Sequence, residues 1–82
     1  MFLYVLENSL SGMRYIGITD SLNRRVREHN RNGQHFTSRL GGDWRLLYSR
    51  WFGDDAVVRK EEARLKKAKN KKYVDWYFKS NG

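Results

Sequence analysis

The segment after residue 20 places an arginine and a histidine one helical turn apart. Its spacing puts four side chains on one face of a helix that should begin near Ser21, namely Leu22, Arg25, Val26 and His29. The two apolar members can pack against a sheet. Arg25 is a permanently charged donor and His29 titrates near neutral pH, a combination that suggests chemistry. The alternative is that both belong to a solvated basic face.

A carboxylate on a second predicted helix, residues 56–69, is the next candidate. Its packed face is marked by Val57, Val58, Leu65 and Ala68. Glu61 and Glu62 lie between Val58 and Leu65, so an acid is held against the packed side, where it is costly unless a cation or a donor meets it. Helical angles do not choose between the two acids. The alternative is surface ion pairs, which contribute little, with Arg59, Lys60, Lys66 or Arg25.

Two apolar extended runs precede the first helix and predict a β-hairpin. The strands are residues 1–7 and 13–18, joined by a turn-like connection. Each strand carries one phenol, Tyr4 or Tyr15, although two such rings on adjacent strands are more often packing residues. Gly17 within the second strand marks a close approach to the backbone. Thr19 and Asp20 can both cap the helix that follows.

The rest of the chain supplies one more strand and one more helix. The strand is the aromatic-rich run of residues 44–52, and the last short helix follows Asn70. That helix is expected to pack Val74 and Tyr77, together with Trp76 or Phe78. The elements predict an α+β fold with a three-stranded antiparallel sheet flanked by helices, in the order β-β-α-β-α-α. A chain of 82 residues has room for one core, so we expect a single domain over residues 1–82.

The composition indicates a polyanionic partner. Seventeen Lys and Arg against nine Asp and Glu give a net charge of +8, which favours nucleic acid over an acidic membrane surface. No apolar run approaches the roughly 20 residues that span a bilayer, and the first residues resemble a strand, not a signal peptide. The absence of cysteine excludes thiolate metal sites and agrees with a cytoplasmic location. Zinc-protease and phosphate-loop motifs are also absent.

Two basic stretches outside the first helix could contact phosphates. One is the irregular segment of residues 35–43, where an aromatic ring precedes Thr37, Ser38 and Arg39; the other is the lysine-rich run of residues 66–72. An ordinary connecting loop and a solvated helix end are the alternatives. We predict nucleic-acid contacts at six positions, namely Gly17, Thr37, Ser38, Arg39, Lys66 and Lys69.

Taken together, these residues resemble the GIY-YIG nuclease superfamily. Its two strand motifs are represented by Phe2-Leu3-Tyr4, which keeps only the Tyr, and by an intact Tyr15-Ile16-Gly17. Arg25 falls where the family places its helix-borne Arg, and His29 where it places a His or Tyr. The family's acid pattern fits Val58, Glu62, Leu65 and Lys66, so Glu62 is preferred and Glu61 is the fallback. The resemblance covers nearly the whole chain and is strongest to small single-domain members.

The resemblance implies a metal-dependent endonuclease that acts on DNA more readily than on RNA. In that picture Glu62 holds one Mg²⁺ or Mn²⁺ ion and Arg25 stabilises the scissile phosphate. Tyr4 activates the attacking water and Tyr15 positions the water or the phosphate. His29 is an alternative base, and the sequence does not rank it against Tyr4. A basic nucleic-acid-binding module that cleaves weakly or not at all is the second hypothesis, and a protein-interaction adaptor is a weaker third.

Overall fold

The computed structural model describes residues 1–31 and 42–81, so the predicted contacts at Thr37, Ser38 and Arg39 lie outside the described residues. Within these ranges three strands and three helices follow the predicted order. They are β1 (Phe2–Asn8), β2 (Arg14–Thr19), α1 (Leu22–Asn30), β3 (Trp44–Trp51), α2 (Asp55–Ala68) and α3 (Lys71–Asn81). The α+β fold with a three-stranded sheet is therefore confirmed.

The first strand is the centre of the sheet. The strand order is β2-β1-β3, and β1 pairs antiparallel with both neighbours. Residues 3–6 of β1 are all buried, although alternate side chains of a strand point to opposite faces. Helices must therefore cover both faces of the sheet. Leu3 and Val5 lie in one apolar cluster, while Tyr4 and Leu6 lie in another.

The helix α1 covers the face that carries Tyr4. Leu22 and Val26 pack against the cluster that Tyr4 forms with Leu6 and Trp44, as the helical spacing predicts. The expectation that Thr19 or Asp20 caps this helix is wrong. The N-cap is Ser21, whose hydroxyl accepts from Arg24 N. The Thr19 hydroxyl accepts from Ser21 N instead, because Thr19 lies two residues before the N-cap and does not reach the first turn.

The helices α2 and α3 cover the opposite face. Val58 and Leu65 of α2 and Val74, Tyr77 and Phe78 of α3 join Leu3 and Val5 in this larger cluster. Of the two candidates for the last helix, Phe78 is buried and Trp76 is 54 % exposed. None of the helices in the described ranges has the length and apolar character needed to cross a membrane.

A polar network ties the last helix to both edge strands. Asp75 Oδ1 accepts from Arg14 Nη1 of β2 at 3.0 Å and from the Tyr48 hydroxyl of β3 at 2.8 Å. The hydrogen bond from Tyr48, with a further contribution from Arg14, holds the pKa of Asp75 below its usual range. Arg14 Nε also donates to Glu7 on β1. The network therefore couples α3 to all three strands.

Replacing Asp75 by alanine is expected to reduce the free energy of unfolding by about 1 kcal/mol, because two charge-assisted hydrogen bonds are lost at a partly exposed site. Asp20→Ala is the control, since its ion pair with Arg24 is exposed and contributes little. The carboxylate stabilises the fold above its unfolded pKa of about 4, and this stabilisation disappears as the pH falls through the lower folded value. Urea unfolding at neutral and acidic pH measures both effects; equal losses in the two variants at neutral pH contradict the network.

Candidate active site

The site is built around the ring of Tyr4, which lies over Gly17. These two residues are partners in the antiparallel pairing of β1 and β2. A Cβ atom added at Gly17 would lie 2.6 Å from Tyr4 Oη and 2.8 Å from its Cζ, which no real side chain tolerates. The close approach that a glycine in this strand predicts is therefore made by a phenol of the neighbouring strand. A contact between Gly17 and nucleic acid stays a prediction.

Gly17→Ala should destabilise the protein by about 1 to 3 kcal/mol, the usual cost of overpacking a filled interior. Gly53→Ala is the matched control because, apart from its two neighbours in the chain, no described residue has an atom within 4 Å of the added Cβ, so its effect should stay within about 0.5 kcal/mol. Urea unfolding followed by circular dichroism compares them. Similar stabilities for the two variants would mean that the Tyr4 ring is not confined against Gly17.

The second phenol and the histidine meet on the same face of the sheet. The rings of Tyr15 and His29 are 4.5 Å apart between centroids, and those of Tyr4 and Tyr15 are 6.3 Å apart. His29 is buried, with Trp44 at 6.0 Å. It is thus part of an aromatic cluster and not a member of a solvated face. Tyr15, by contrast, is 37 % exposed and can be reached from solvent.

Arg25 lies close enough to the Tyr4 phenol to influence its ionisation. Its Nη1 makes an ion pair with Glu28 Oε1 at 2.9 Å, although the two groups are not aligned as a hydrogen bond. Arg25 Nε is buried and has no hydrogen-bond partner among the described residues. Because an unsatisfied buried donor is costly, this guanidinium is suited to bind an anion, to which Nε would donate. Sequence reasoning missed Glu28, whose only signal is its spacing of three residues from Arg25.

Glu61 and Glu62 face different surroundings. Glu62 acts electrostatically on Tyr4, whereas Glu61 acts on Tyr77 in the cluster under α2 and α3. Glu62 pairs with Lys66 at 3.3 Å and Glu61 with Arg64 at 3.5 Å. Of these four charged side chains, Glu62 and Lys66 are the ones on the Tyr4 side. Lys66 Nζ also lies 6.0 Å from the centre of the Tyr15 ring.

The environment of Tyr4 holds its hydroxyl in the protonated form. Burial is the main cause that raises the pKa of Tyr4 well above its usual value, and Tyr15 raises it further. Arg25 lowers the pKa, while Glu62 and Glu28 raise it. The charged side chains that act on the phenol are therefore one cation, Arg25, and two carboxylates, Glu62 and Glu28. Additional positive charge at Glu62 would favour the phenolate.

Because the folded pKa of Tyr4 is raised, its neutral phenol stabilises the protein below pH about 10, the ordinary value for tyrosine, and this stabilisation is lost as the pH rises further. Wild type should therefore lose stability faster than Tyr4→Phe between about pH 10 and pH 11. Urea unfolding across this range measures the difference. Tyr48 and Tyr77, whose pKa values are also raised, are present in both proteins and cancel. Parallel stability curves would show that Tyr4 is not held neutral by burial.

The donor set limits the kind of metal that the site could hold. The described residues contain no group of three or more His, Cys, Asp or Glu that could ligate an ion. Glu62 can supply a single carboxylate ligand. One such ligand is compatible with a hard divalent cation that keeps water and substrate oxygens as its other ligands. Its present partner Lys66 has a half-exposed side chain, so this ion pair can be exchanged at small cost.

The structure is that of a small α+β domain in which the rings of Tyr4, Tyr15 and His29 lie together on one face of the sheet, with Arg25 and Glu62 acting electrostatically on Tyr4. The family model of the GIY-YIG catalytic domain matches residues 1–74. The chain belongs to the GIY-YIG family. This membership assigns it a nuclease-type function on nucleic acid, in a family that generally depends on divalent metal ions. No curated protein and no solved structure matches the chain.

Proposed function

We propose that this protein is a metal-dependent endonuclease that hydrolyses phosphodiester bonds in DNA. The observation that carries the proposal is the buried Arg25 Nε, which has no hydrogen-bond partner among the described residues, together with the cluster of the Tyr4, Tyr15 and His29 rings; Arg25 and Glu62, from two different helices, both act electrostatically on the Tyr4 phenol. Tyr15, in ring contact with His29, adds a phenol that solvent reaches. A phosphodiester placed there meets a cationic donor, an acid able to hold a metal ion and two candidate bases.

Arg25 is proposed to stabilise the phosphate as negative charge builds in the transition state. Its buried Nε without a hydrogen-bond partner in the described ranges supports this role, because a phosphate oxygen would satisfy it. The ion pair with Glu28 holds the guanidinium in place at one nitrogen. Binding of the phosphate therefore leaves the contact with Glu28 intact and adds a second one.

Glu62 is proposed to hold one Mg²⁺ or Mn²⁺ ion, which would supply positive charge to the scissile phosphate and the leaving oxygen. Its position on the Tyr4 side of α2 supports the choice of Glu62 over Glu61. Lys66, released from Glu62, would be free to contact a phosphate beside Tyr15. The two neighbouring acids thus have separate roles, one in chemistry and one in an ion pair with Arg64.

Tyr4 and His29 are both proposed as groups that could take the proton of the attacking water. Tyr4 must lose its own proton to act as a base, and Arg25 together with added charge at Glu62 would favour that loss. A histidine side chain ordinarily titrates nearer to pH 7 than a tyrosine does, and His29 lies in contact with Tyr15. Replacement of each separately distinguishes them, because Tyr4→Phe keeps the ring over Gly17 and removes only the hydroxyl.

The test is cleavage of branched, flapped and single-stranded DNA by the purified protein with Mg²⁺ or Mn²⁺. Arg25→Ala and Glu62→Gln should each reduce the cleavage rate by about a hundredfold or more, the usual effect of losing a transition-state contact, while circular dichroism shows folded protein. Glu61→Gln is the matched control, with a neighbouring acid of similar exposure, and should cleave like wild type. Glu62→Gln that cleaves as fast as Glu61→Gln would overturn the assignment.

A DNA- or RNA-binding module without efficient cleavage is the second candidate. Two features favour it. A protonated Tyr4 does not act as a base, and Glu62 is engaged in an ion pair with Lys66 instead of binding a metal ion. The module hypothesis expects salt-sensitive binding that persists in EDTA and no cleavage with any divalent metal. Metal-dependent nicking that Arg25→Ala abolishes would exclude it.

A further inference from the structure

A groove runs between the edge strand β2 and the junction of α2 with α3. Its volume is about 430 Å³, within the range of small-ligand sites. Its apolar lining includes Ile16, Leu65 and Val74, of which Leu65 and Val74 are buried, and Met13, which is 45 % exposed. The lining is thus mainly apolar, which is unusual on the surface of a chain with a net charge of +8.

The charged side chains along the groove are cationic. Arg14 and Lys71 are engaged within the protein, Arg14 by Glu7 and Asp75 and Lys71 by the carbonyl of Gly12 at 2.8 Å. Lys69 is exposed and makes no ion pair with any described residue. It ends α2 in the left-handed conformation, with φ at 49°. An anionic group entering the groove would therefore meet the ammonium of Lys69 without displacing a partner.

The groove is continuous with the candidate active site. Tyr15 and Lys66 line it, and the same two residues lie beside His29 and Glu62. A polymer bound at the site can therefore extend into the groove without leaving the surface. An apolar lining beside cationic side chains matches a nucleotide, whose base and sugar are largely apolar at their faces and whose phosphate is anionic.

We propose that this groove holds the base and sugar of an unpaired nucleotide next to the scissile phosphate, with its phosphate on Lys69. The proposal rests on the proposed nuclease function and assigns its substrate class: DNA with a single-stranded or unpaired stretch beside the cut. In a duplex both faces of each base are covered by its neighbours, so the apolar lining could not be used. A fully paired substrate would gain only the contacts to phosphate.

The experiment measures metal-free binding, in EDTA, of a short fluorescent oligothymidylate and of an abasic oligonucleotide of the same length and charge. Wild type should bind the oligothymidylate about threefold or more tightly than the abasic strand, because only the first carries bases to bury. Equal affinities for the two strands overturn the proposal. No substituted protein is needed for this comparison.

Two pairs of variants place the effect in the groove. Met13→Ala should reduce the preference for bases, whereas Leu10→Ala, which removes another exposed apolar side chain of the same β1–β2 connection, should keep it. Lys69→Asn should weaken binding of both strands more than Lys67→Gln does, and asparagine tolerates the left-handed conformation at this position. A base preference that survives Met13→Ala overturns the proposal.

The binding assay tests the groove and the cleavage assay tests the nuclease function, so either proposal can be overturned without the other. Base-dependent binding that Met13→Ala removes supports the groove even if no cleavage is found, in which case only the nuclease assignment is lost. Cleavage without base-dependent binding overturns the groove alone. Circular dichroism of each variant establishes that a loss of binding is not a loss of folding.

Discussion

The contact between the Tyr4 ring and the backbone of Gly17 fixes the position of the phenol around which the other side chains of the candidate site lie. The ring occupies the position that a side chain on the neighbouring strand would fill, and its hydroxyl is the atom nearest to the missing Cβ. Because β1 is the middle strand and is buried on both faces, this phenol is placed deep in the protein while it remains within electrostatic reach of α1 and α2. A larger residue at position 17 would push it out of that position.

The charges around this phenol are balanced in the free protein by partners on their own helices. Arg25 pairs with Glu28 three residues later, and Glu62 pairs with Lys66 four residues later. The partly exposed pair of Glu62 and Lys66 contributes little, so Glu62 can exchange this partner, whereas Arg25 has a second nitrogen, Nε, that Glu28 does not engage. Each pair compensates the charge of a partly buried side chain.

The two faces of the sheet carry different clusters of side chains. The face under α2 and α3 carries the larger apolar cluster, and the polar network at Asp75 ties α3 to the strands. The face under α1 has a smaller cluster and contains the aromatic contacts of Tyr15 and His29. Most of the buried apolar side chains of the described residues therefore lie on the face opposite Tyr4. The groove beside Tyr15 lies where α2 passes the edge of β2, and Leu65 and Val74 of the larger cluster form part of its lining.

The elements themselves could be predicted from the sequence, because alternation, helical spacing and capping residues act over a few neighbouring positions. The hairpin, the stripe that contains Leu22 and Val26, and the order β-β-α-β-α-α all follow from such local signals. The cap of α1 does not follow from them, since Thr19, Asp20 and Ser21 have similar capping ability and the structure shows that the last of them is the N-cap. A resemblance to a family supplied the rest of the site.

Which groups meet in space was decided by the tertiary structure alone. Glu61 and Glu62 are equivalent by helical angle, yet in the folded chain the charge of Glu61 acts on Tyr77 and that of Glu62 acts on Tyr4. Trp76 and Phe78 are similar in hydrophobicity, yet the docking of α3 buries one and exposes the other. Gly17 signalled a close approach, but not that Tyr4 makes it. The sequence by itself determines the elements and the residue types on their faces; contacts between residues far apart in the chain depend on how those faces dock.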